Sequence, residues 1–489
     1  MKKETNPTLQ SIFYDENGKA KEVKQIIAAL KEKSVSVPEW NDIAKSYDPM
    51  QHEIITNSER RPKDRKKGNV LEKFARVVYP AEKNTVRRMT QMMFTLPVSR
   101  KYKCQDEEVR KRVSQVLEAV YDKARIDGEN INRFKAYFAA CEMVTVWYAV
   151  KQENDDYGFH SNVKLKCRSY SPMPTKYSKI MQAKIYPLFD ANGDYVALSL
   201  EYDILINGDK HTKFETFTDT MHYRWINGID DAGFTNDIEP EEIIIGKNPT
   251  IYIHRPAPVY EGIQNNRDEI EFTLSRTSDI IRKNSSPIMK VVGKLVDKQE
   301  NAPKKDVARE VYQFEGDGDI ELVSPAITPE NASFYIGQLQ KNIEEDTQLP
   351  NLSLENTKSL GAMSGEARKT LLTDAHMRCG EEKHEVLAFL DRECQVIKAL
   401  LAKANIKMEN EFKQVKVDHF INPFVMQDED ANVKKAATAA AGTRFTSQRT
   451  LIEMAGVVDD VDSEIERIQQ EEEKSAQNSP LNSLFDKTE

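Results

Sequence analysis

The chain has 489 residues, of which 30% are charged and 39% hydrophobic, and its formal net charge is -9. It contains no run of about 20 apolar residues, so the sequence predicts no membrane-spanning helix, and its first residues lack the apolar core of a signal peptide. The negative balance excludes a globally basic nucleic-acid-binding protein, whose affinity would depend on neutralising many phosphates. Five scattered cysteines predict neither a disulfide framework nor a zinc site, and they fit a reducing cytoplasm.

The charge is unevenly distributed along the chain. Residues 60–101 carry 13 Lys/Arg and 3 Asp/Glu, whereas residues 427–489 carry 7 Lys/Arg and 14 Asp/Glu. The basic run near residue 60 has two interpretations: a solvated loop, or an arm that binds DNA or an acidic surface of a neighbouring subunit. The basic residues of this candidate subunit-contact arm are Arg60, Arg61, Lys63, Arg65, Lys66 and Lys67.

The N-terminal third alternates between helical and polar segments. Residues 21–34 have a short amphipathic helical pattern, and residues 70–95 also predict a helix. Residues 58–69 are polar and basic, which predicts a loop or an arm. Two more helices are expected within residues 106–153. The second of them, at about 129–150, is rich in aromatic residues and is therefore expected to be buried.

Residues 160–255 change to the alternating pattern of strands. Asn192-Gly193, Asn207-Gly208 and Asn227-Gly228 are hairpin-turn signals between these segments, which predicts an antiparallel meander. The segment from Asp190 onward resembles a calcium loop in its acidic spacing. The glycine that such a loop needs at its sixth position is replaced by Tyr195, so we predict a hairpin turn there.

A helix, a strand-rich segment and a second helix follow. Residues 259–284 predict the first helix, and residues 285–327 predict short strands with a tight turn at Gly316–Asp319. Thr328-Pro329-Glu330 combines a hydroxyl cap, a proline at the first helical position and an acid in the first turn.

Residues 347–363 interrupt the helical pattern with Pro350, Gly361 and small polar residues, which predicts a loop. A helix of about 40 residues is expected from residue 364. A strand and the helices of residues 430–475 come next, with a capping box from Ser463 to Glu466. The polar tail from residue 476 is expected to be disordered.

Motifs for catalysis and cofactor binding are missing from the sequence. Gly246-Lys247 and Gly293-Lys294 lack the other residues of a phosphate-binding loop. His376 and His384 lack the His-Glu-x-x-His pattern, and Asp428–Asp430 is interpreted as a solvated acidic turn. No carboxylate cluster of the kind that a nuclease needs is evident from the spacing. We therefore predict a protein that is not an enzyme and has no catalytic residue, metal site or cofactor.

The order of elements in residues 328–404 resembles the portal proteins of tailed double-stranded DNA bacteriophages, in particular the SPP1-like family. An amphipathic helix, a proline-containing loop, a Ser-Gly-x-Ala motif and a long helix follow one another there. The C-terminal helices, which contain a Ser-x-x-Thr-Leu motif at Ser447, also resemble that family. The motif that would begin the long helix consists of Ser364, Gly365 and Ala367.

The resemblance implies an α+β, helix-rich subunit with a wing, stem, clip and crown that assembles into a ring. The wing would occupy residues 1–258, with antiparallel strands over 160–255. The other expected regions are a first stem helix (259–284), a clip (285–327), a second stem helix (328–346), a channel loop (347–363), a long wing helix and strand (364–426), crown helices (427–475) and the tail (476–489).

The resemblance also suggests which residues would face DNA or partners. The channel loop carries few charges and no arginine, which suits a constriction without specific phosphate capture. Lysines in the clip are candidates for contact with DNA or a docking partner, and a solvated loop explains them equally well. The channel-loop candidates are Asn351, Ser353, Glu355, Asn356, Lys358 and Ser359, and the clip candidates are Lys298, Lys304 and Lys305.

The implied function is a ring at one capsid vertex, with twelve copies expected in the virion, through which double-stranded DNA is packaged and ejected. The implied partners are the terminase large subunit, a head-completion or adaptor protein, and the major capsid and scaffolding proteins, with no membrane partner. The subunit would be in the host cytoplasm during assembly. One alternative is another capsid-vertex structural protein, such as an adaptor or minor head protein. A nucleic-acid enzyme is a second alternative.

Overall fold

The computed structural model describes residues 6–32, 34–57, 64–67, 70–227, 233–284, 288–295, 314–323, 329–351, 372–424, 429–440, 446–456, 458 and 461–477. Two compact units account for the chain. The first comprises Met1–Leu349 and Arg378–Pro423, and the second comprises Pro350–Met377 and Phe424–Glu489. Helices and sheets are both extensive, so the expected helix-rich α+β class is confirmed. No helix in the described part of the chain is both long enough and apolar enough to span a membrane.

Four short helices begin the first unit. The first helix has a proline at its first position. Its N-cap is Asn6, whose side chain accepts a hydrogen bond from the backbone N–H of Thr8. Phe13 and Leu30, from the first two helices, pack into an apolar cluster with Phe214 and Trp225 of a β-sheet. The helices are α1 (Pro7–Phe13), α2 (Val23–Leu30), α3 (Trp40–Tyr47) and α4 (Glu53–Thr56).

A small hairpin and three longer helices follow. Asp106 caps one of the long helices by accepting hydrogen bonds from the N–H groups of Glu108 and Val109. Phe94 and Phe134 stack with ring centroids 4.4 Å apart, which joins two of the helices. The elements are β1 (Arg65–Lys67), β2 (Val70–Glu72), α5 (Ala81–Phe94), β3 (Ser99–Lys103), α6 (Glu107–Ala124) and α7 (Ile126–Ala140).

The prediction of a helix over about 129–150 was wrong in its second half. Helix α7 ends where Cys141 adopts a left-handed conformation with φ 65°. Residues 142–154 form a strand, because Val144, Val146 and Trp147 are β-branched or aromatic and fit a pleated, buried surface. The prediction for residues 70–95 was also partly wrong, since only residues 81–94 are helical.

Two sheets make up the middle of the chain. One has four strands in the order β12-β4-β5-β6, and the other is the antiparallel meander β11-β10-β9-β8-β7. Asn207 (φ 54°) and Gly208 (φ 97°) form the predicted hairpin turn between two strands of the meander. The bounds are β4 (Glu142–Asn154), β5 (Ser161–Ser171), β6 (Met181–Gln182), β7 (Lys184–Phe189), β8 (Tyr195–Ile206), β9 (Asp209–Phe217), β10 (Met221–Asn227), β11 (Phe234–Glu242) and β12 (Thr250–His254).

The remaining elements of the first unit are long helices and short strands. The predicted tight turn at Gly316–Asp319 is wrong, because these residues lie inside a strand that pairs with β13. Strand β15 pairs with β3, far away in sequence. The bounds are α8 (Gln264–Asn284), β13 (Ile288–Leu295), β14 (Phe314–Val323), α9 (Pro329–Thr347), α10 (Thr373–Ala404), α11 (Glu409–Gln414) and β15 (Lys416–Phe420).

Three helices follow β15 in the described residues. Ser447 caps the second of them, and its side chain accepts a hydrogen bond from the N–H of Thr450. The predicted capping box at Ser463 is wrong, because the last helix already begins at Val461. The predicted tail is helical at 476–477, and residues 478–489 lie outside the described residues. The helices are α12 (Glu429–Ala440), α13 (Gln448–Ala455) and α14 (Val461–Gln477).

Candidate stem, strap and arm

Helices α8 and α9 are antiparallel neighbours. The side-chain amide of Asn266, near the start of α8, donates to Asp346, near the end of α9, at 3.4 Å. Ile270, Leu339 and Ile343 are buried. These helices lie where the sequence predicted the two stem helices, at 259–284 and 328–346, so we call the pair the stem.

Helix α5 holds the end of the stem. Arg88 donates to the carbonyl oxygen of Leu349 at 3.2 Å, and its guanidinium lies 3.9 Å from a carboxylate oxygen of Glu344. These contacts fix the chain at the start of the segment predicted as the channel loop, residues 347–363.

Residues 73–80, which precede α5, lie along α8 without secondary structure of their own, and we call them the strap. The backbone N–H of Tyr79 donates to Glu271 at 2.7 Å, and that of Val77 donates to the hydroxyl of Ser275 at 2.9 Å. Arg282 donates to the carbonyl oxygen of Lys73 at 2.8 Å. The side chains of α8 therefore replace the strand partner that an extended segment would otherwise need.

The spacing of these contacts follows from helix and strand geometry. Four helical residues rise about 6 Å, and two extended residues span about 6.6 Å. Successive acceptors at helix positions 275 and 271 can therefore meet alternate N–H groups at strap positions 77 and 79. The strap and α8 run in opposite directions.

Several buried charged side chains lie against the face of α8 that contacts the strap. The side chains of His52 and Glu271 are both fully buried, with His52 Nδ1 2.6 Å from Glu271 Oε1. His52 Nε2 lies 2.8 Å from the carbonyl oxygen of Ser46. Both ring nitrogens thus face acceptors, so a proton must also lie between Nδ1 and the carboxylate.

Glu82 at the start of α5 is 1% exposed and faces Arg267 of α8, with Oε1 3.4 Å from Nε. Burial raises the pKa of Glu82 to about 7, and the nearby Arg267 opposes this effect only in part. Arg267 also lies 3.2 Å from Asp268. His52, Glu82, Arg267 and Glu271 therefore form a group of buried acids and bases beside α8.

Helix α10 is fixed to the sheets by a second buried ion pair. Glu393 Oε1 accepts from Arg133 Nη1 at 2.9 Å and from the indole Nε1 of Trp147 at 2.7 Å. Further along the helix, Glu382 accepts two hydrogen bonds from Arg255, at 3.0 and 3.3 Å. These bonds hold α10 against α7, strand β4 and the residue that follows strand β12.

The candidate arm is only partly described. Arg65, Lys66 and Lys67 form β1, which pairs with β2, so these three residues belong to a short hairpin and not to a loop. Asp64 accepts from the N–H of Phe74 at 2.9 Å and pairs with Arg76 at 3.1 Å, which ties the hairpin to the strap. Arg60, Arg61 and Lys63 lie outside the described residues.

Most of the other predicted site residues also lie outside the described part of the chain. Asn351 is its last described residue before 372. The residues outside it are Ser353, Glu355, Asn356, Lys358, Ser359, Ser364, Gly365, Ala367, Lys298, Lys304 and Lys305.

Sequence reasoning missed the buried charges at the stem. The available signal was the spacing of Arg267, Glu271 and Ser275, which places polar residues every four positions on one side of α8. Within the described residues, no group of three or more His, Cys, Asp or Glu side chains is arranged to hold a metal ion.

Comparison with known proteins gives one family and several remote structural likenesses. The model of the family described as "Phage portal protein, SPP1 Gp6-like" matches residues 12–478. No curated protein matches this chain. The neck of an empty gene transfer agent (GTA) particle matches at 13% identity and a TM-score of 0.35, over 78% of this chain and 90% of that one.

Two further structures come from native gene transfer agent particles. A chain of the virion matches at 10% identity, and a chain of the neck computed with C12 symmetry matches at 11%. Both have a TM-score of 0.36 and cover 88% of this chain and 98% of the matched chain. Because these sequence identities and TM-scores are low, the assignment of the chain to a family rests on the family match.

Proposed function

This chain belongs to the family of SPP1 Gp6-like phage portal proteins, and on that premise we propose how its parts serve a portal at the capsid vertex. The family match over residues 12–478 is the observation that carries the proposal, because it covers nearly the whole chain. The alternative of a smaller adaptor or minor head protein does not explain a match of that extent.

The assembly is a closed ring of identical subunits, with twelve copies in the virion. Each interface in such a ring is heterologous, so every subunit uses two different patches. The stem of α8 and α9 lies beside the axial channel, and the buried contacts of α10 with Arg133 and Arg255 keep the wing rigid around it. Double-stranded DNA passes along the axis inward during packaging and outward during ejection.

Residues 347–363, which run from the last residue of α9 toward α10, form the channel loop. Its attachment supports this role, because Arg88 fixes the chain at Leu349 on one side and α10 begins at Thr373 on the other. The loop carries Glu355 and Lys358 as its only charges, which suits weak, sequence-independent contact with passing DNA. Its proposed DNA-facing residues are Asn351, Ser353, Glu355, Asn356, Lys358 and Ser359.

Partners bind at the outer parts of the ring. The hairpin of β13 and β14 and the lysines between them, Lys298, Lys304 and Lys305, form the docking region for the terminase large subunit and then for an adaptor. The major capsid and scaffolding proteins contact the wing. The subunit assembles in the host cytoplasm and ends in the virion. It contributes no catalytic step, and ATP hydrolysis belongs to the packaging partner.

Native mass analysis with negative-stain imaging of the purified chain tests the ring. Twelve subunits of 56.0 kDa give an assembly of about 670 kDa. We expect rings with a central channel. Particles purified from infected cells that lack the chain at their single tail-bearing vertex would contradict the proposal, whatever the state of the isolated protein.

A further inference from the structure

Four cationic side chains meet on the surface where α5, α7 and the loop between β5 and β6 come together. Lys83 and Arg87 lie four residues apart on α5, which places them on the same face of that helix. Lys135 belongs to α7, and Lys176 belongs to the loop. We call these four residues the cationic patch. Arg87 and Lys176 are exposed, and Lys83 and Lys135 are partly buried.

The charges of the cationic patch are close enough to disturb one another. Burial lowers the pKa of Lys83, Asp48 opposes this effect, and the neighbouring Lys135 and Lys176 add to it. Burial also lowers the pKa of Lys135, and Arg87 lowers it further. The patch therefore has a positive potential that an added anion would relieve.

The described residues compensate only part of this charge. Asp48 lies 3.6 Å from Lys176, and its carboxylate also accepts a hydrogen bond from a backbone N–H at 3.2 Å. Lys83, Arg87 and Lys135 form no ion pair with any residue that the structure describes. Three of the four positive charges are therefore available to a partner outside the subunit.

Two tyrosine rings allow the ammonium group of Lys83 to be partly buried without a carboxylate. Its Nζ lies 5.0 Å from the ring centroid of Tyr177 and 5.7 Å from that of Tyr47. The two rings pack edge to face, with their centroids 5.8 Å apart. The face of an aromatic ring attracts a cation but carries no net charge. The rings thus position Lys83 and leave the charge of the patch uncompensated.

The side chains of the patch favour the phosphates of nucleic acid over the carboxylates of a neighbouring subunit. Three of the four are lysines, whose ammonium groups act as point charges and suit contact with phosphates without fixed geometry. Fixed contacts with carboxylates favour the two-pronged guanidinium of arginine, as in the pair of Arg255 and Glu382 within this subunit. The formal net charge of -9 makes the chain as a whole repel DNA, so contact is concentrated where the charge is positive.

We propose that the cationic patch binds the phosphate backbone of double-stranded DNA, using residues of the wing and none of the channel loop. About four phosphate contacts give weak, salt-sensitive binding without sequence preference. Such binding suits DNA that has to move past the protein. The inference rests on the proposed function, since that function brings the subunit into contact with DNA.

Binding of the full chain to a covalently closed circle of duplex DNA tests the patch. A closed circle cannot be threaded through a preformed ring, so the channel contributes nothing to its binding. The dissociation constant is measured at several salt concentrations, because each phosphate contact contributes about 0.9 to the slope of log K against log salt concentration. The test variant combines Lys83→Gln, Arg87→Gln, Lys135→Gln and Lys176→Gln. The control removes the same number of positive charges at exposed positions elsewhere, through Lys24→Gln, Lys111→Gln, Lys151→Gln and Lys407→Gln.

We expect the magnitude of the slope to fall by about 3 in the test variant and by less than about 1 in the control. A further variant, Lys83→Arg with Lys135→Arg, retains the charges and should retain the slope, which separates a loss of charge from a change in folding. Equal slopes in the test variant and the control would overturn the proposal. So would a test variant that keeps the original slope and forms fewer rings, because the patch would then face a neighbouring subunit.

Imaging of the unaltered chain separates this proposal from the ring. Rings whose salt dependence is unaffected by the test substitutions contradict only the DNA contact of the patch. A slope that depends on the patch in a chain without rings supports the DNA contact and counts against the ring.

Discussion

Arg133 of α7 and Glu393 of α10 form an ion pair in which both side chains are almost completely buried, with Nη1 and Oε1 2.9 Å apart. The same carboxylate oxygen accepts the indole N–H of Trp147. The pair is separated by 260 residues in sequence, so it forms only when α10 has packed against α7. Desolvation lowers the affinity of Arg133 for its proton, but the neighbouring Glu393 outweighs this, so the pKa of Arg133 is raised.

Removing one partner of this pair should destabilise the subunit strongly. Glu393→Ala leaves the Arg133 guanidinium buried without its carboxylate, and we expect a loss of about 3–5 kcal/mol in the free energy of unfolding. Urea unfolding at one fixed protein concentration measures it. Glu385→Ala is the control on the same helix, because the side chain of Glu385 is 64% exposed, and its effect should stay within about 0.5 kcal/mol. Similar losses in both variants would contradict the structural role of the pair.

The buried Glu82 should make stability depend on pH. Its pKa is raised from 4.5 to about 7 in the folded state, so the unfolded chain releases the proton first as pH rises. Between these values the folded state binds more protons, and its stability therefore falls with rising pH. Glu82→Gln should remove this fall, which amounts to about 3 kcal/mol at most.

The measurement is the difference in unfolding free energy between Glu82→Gln and the unaltered chain at pH 5 and at pH 8. The difference should shift in favour of the variant at the higher pH. Glu153→Gln, at an exposed position, should show no such shift. A difference that is the same at both pH values would show that Glu82 is ionised throughout this range, with Arg267 as its dominant neighbour.

The hydrogen bond from the strap to Ser275 should protect one particular amide. Ser275→Ala removes the acceptor of the Val77 N–H, and we expect faster hydrogen exchange at Val77 together with a loss of about 1–2 kcal/mol. Ser278→Ala is a matched change on the same helix, and it should leave exchange at Val77 unaltered. Unchanged exchange in Ser275→Ala would mean that the strap is held by its other contacts alone.

Reversing the charge of β1 should weaken assembly. The triple variant Arg65→Glu, Lys66→Glu, Lys67→Glu removes the attraction of the arm for any acidic neighbour, and the fraction of chain in rings should fall in native mass spectra. The control reverses three exposed lysines elsewhere, Lys24, Lys111 and Lys151, which gives the same change in net charge. If both variants assemble like the unaltered chain, the arm has no role in subunit contact.

The channel loop should touch DNA inside packaged particles. A photo-cross-linking residue at Asn356 is expected to form DNA adducts on illumination, because the loop faces the axis in the proposed ring. The same residue at Glu153 on the wing should form none. DNA adducts at the wing position in place of the loop position would refute the assignment of residues 347–363 to the channel.

The sequence was informative where local chemistry decides the structure. Asn207-Gly208 has the residues that a tight hairpin turn requires, and Pro329 marks the start of α9 because its missing N–H costs nothing there. Cys141 shows the opposite case. No cysteine by itself predicts a left-handed conformation, so the end of α7 and the start of β4 could not be located from the aromatic pattern alone.

The buried charges beside α8 could not be predicted from the sequence, because they depend on contacts between distant parts of the chain. His52 and Glu271 are 219 residues apart, and their contact depends on how α8 packs against the N-terminal segments. Burial of Glu82 likewise depends on the tertiary structure, since an acid in the first turn of a helix is usually exposed. The family resemblance gave the order of the elements, but it contained nothing about these contacts.

The matched spacing of the strap and α8 limits how the stem helix can move. A slip of one residue would bring the N–H groups of Val77 and Tyr79 to the wrong side of the helix, so only a shift of four residues, about 6 Å, returns polar side chains of α8 to this position. A turn in one direction would place Tyr79 opposite Arg267, which can only donate. A turn in the other direction would offer Ser275 to Tyr79 and Asp279 to Val77, both of which accept. The strap can therefore shift along α8 by four residues in one direction only. The opposite shift would leave the N–H group of Tyr79 without an acceptor.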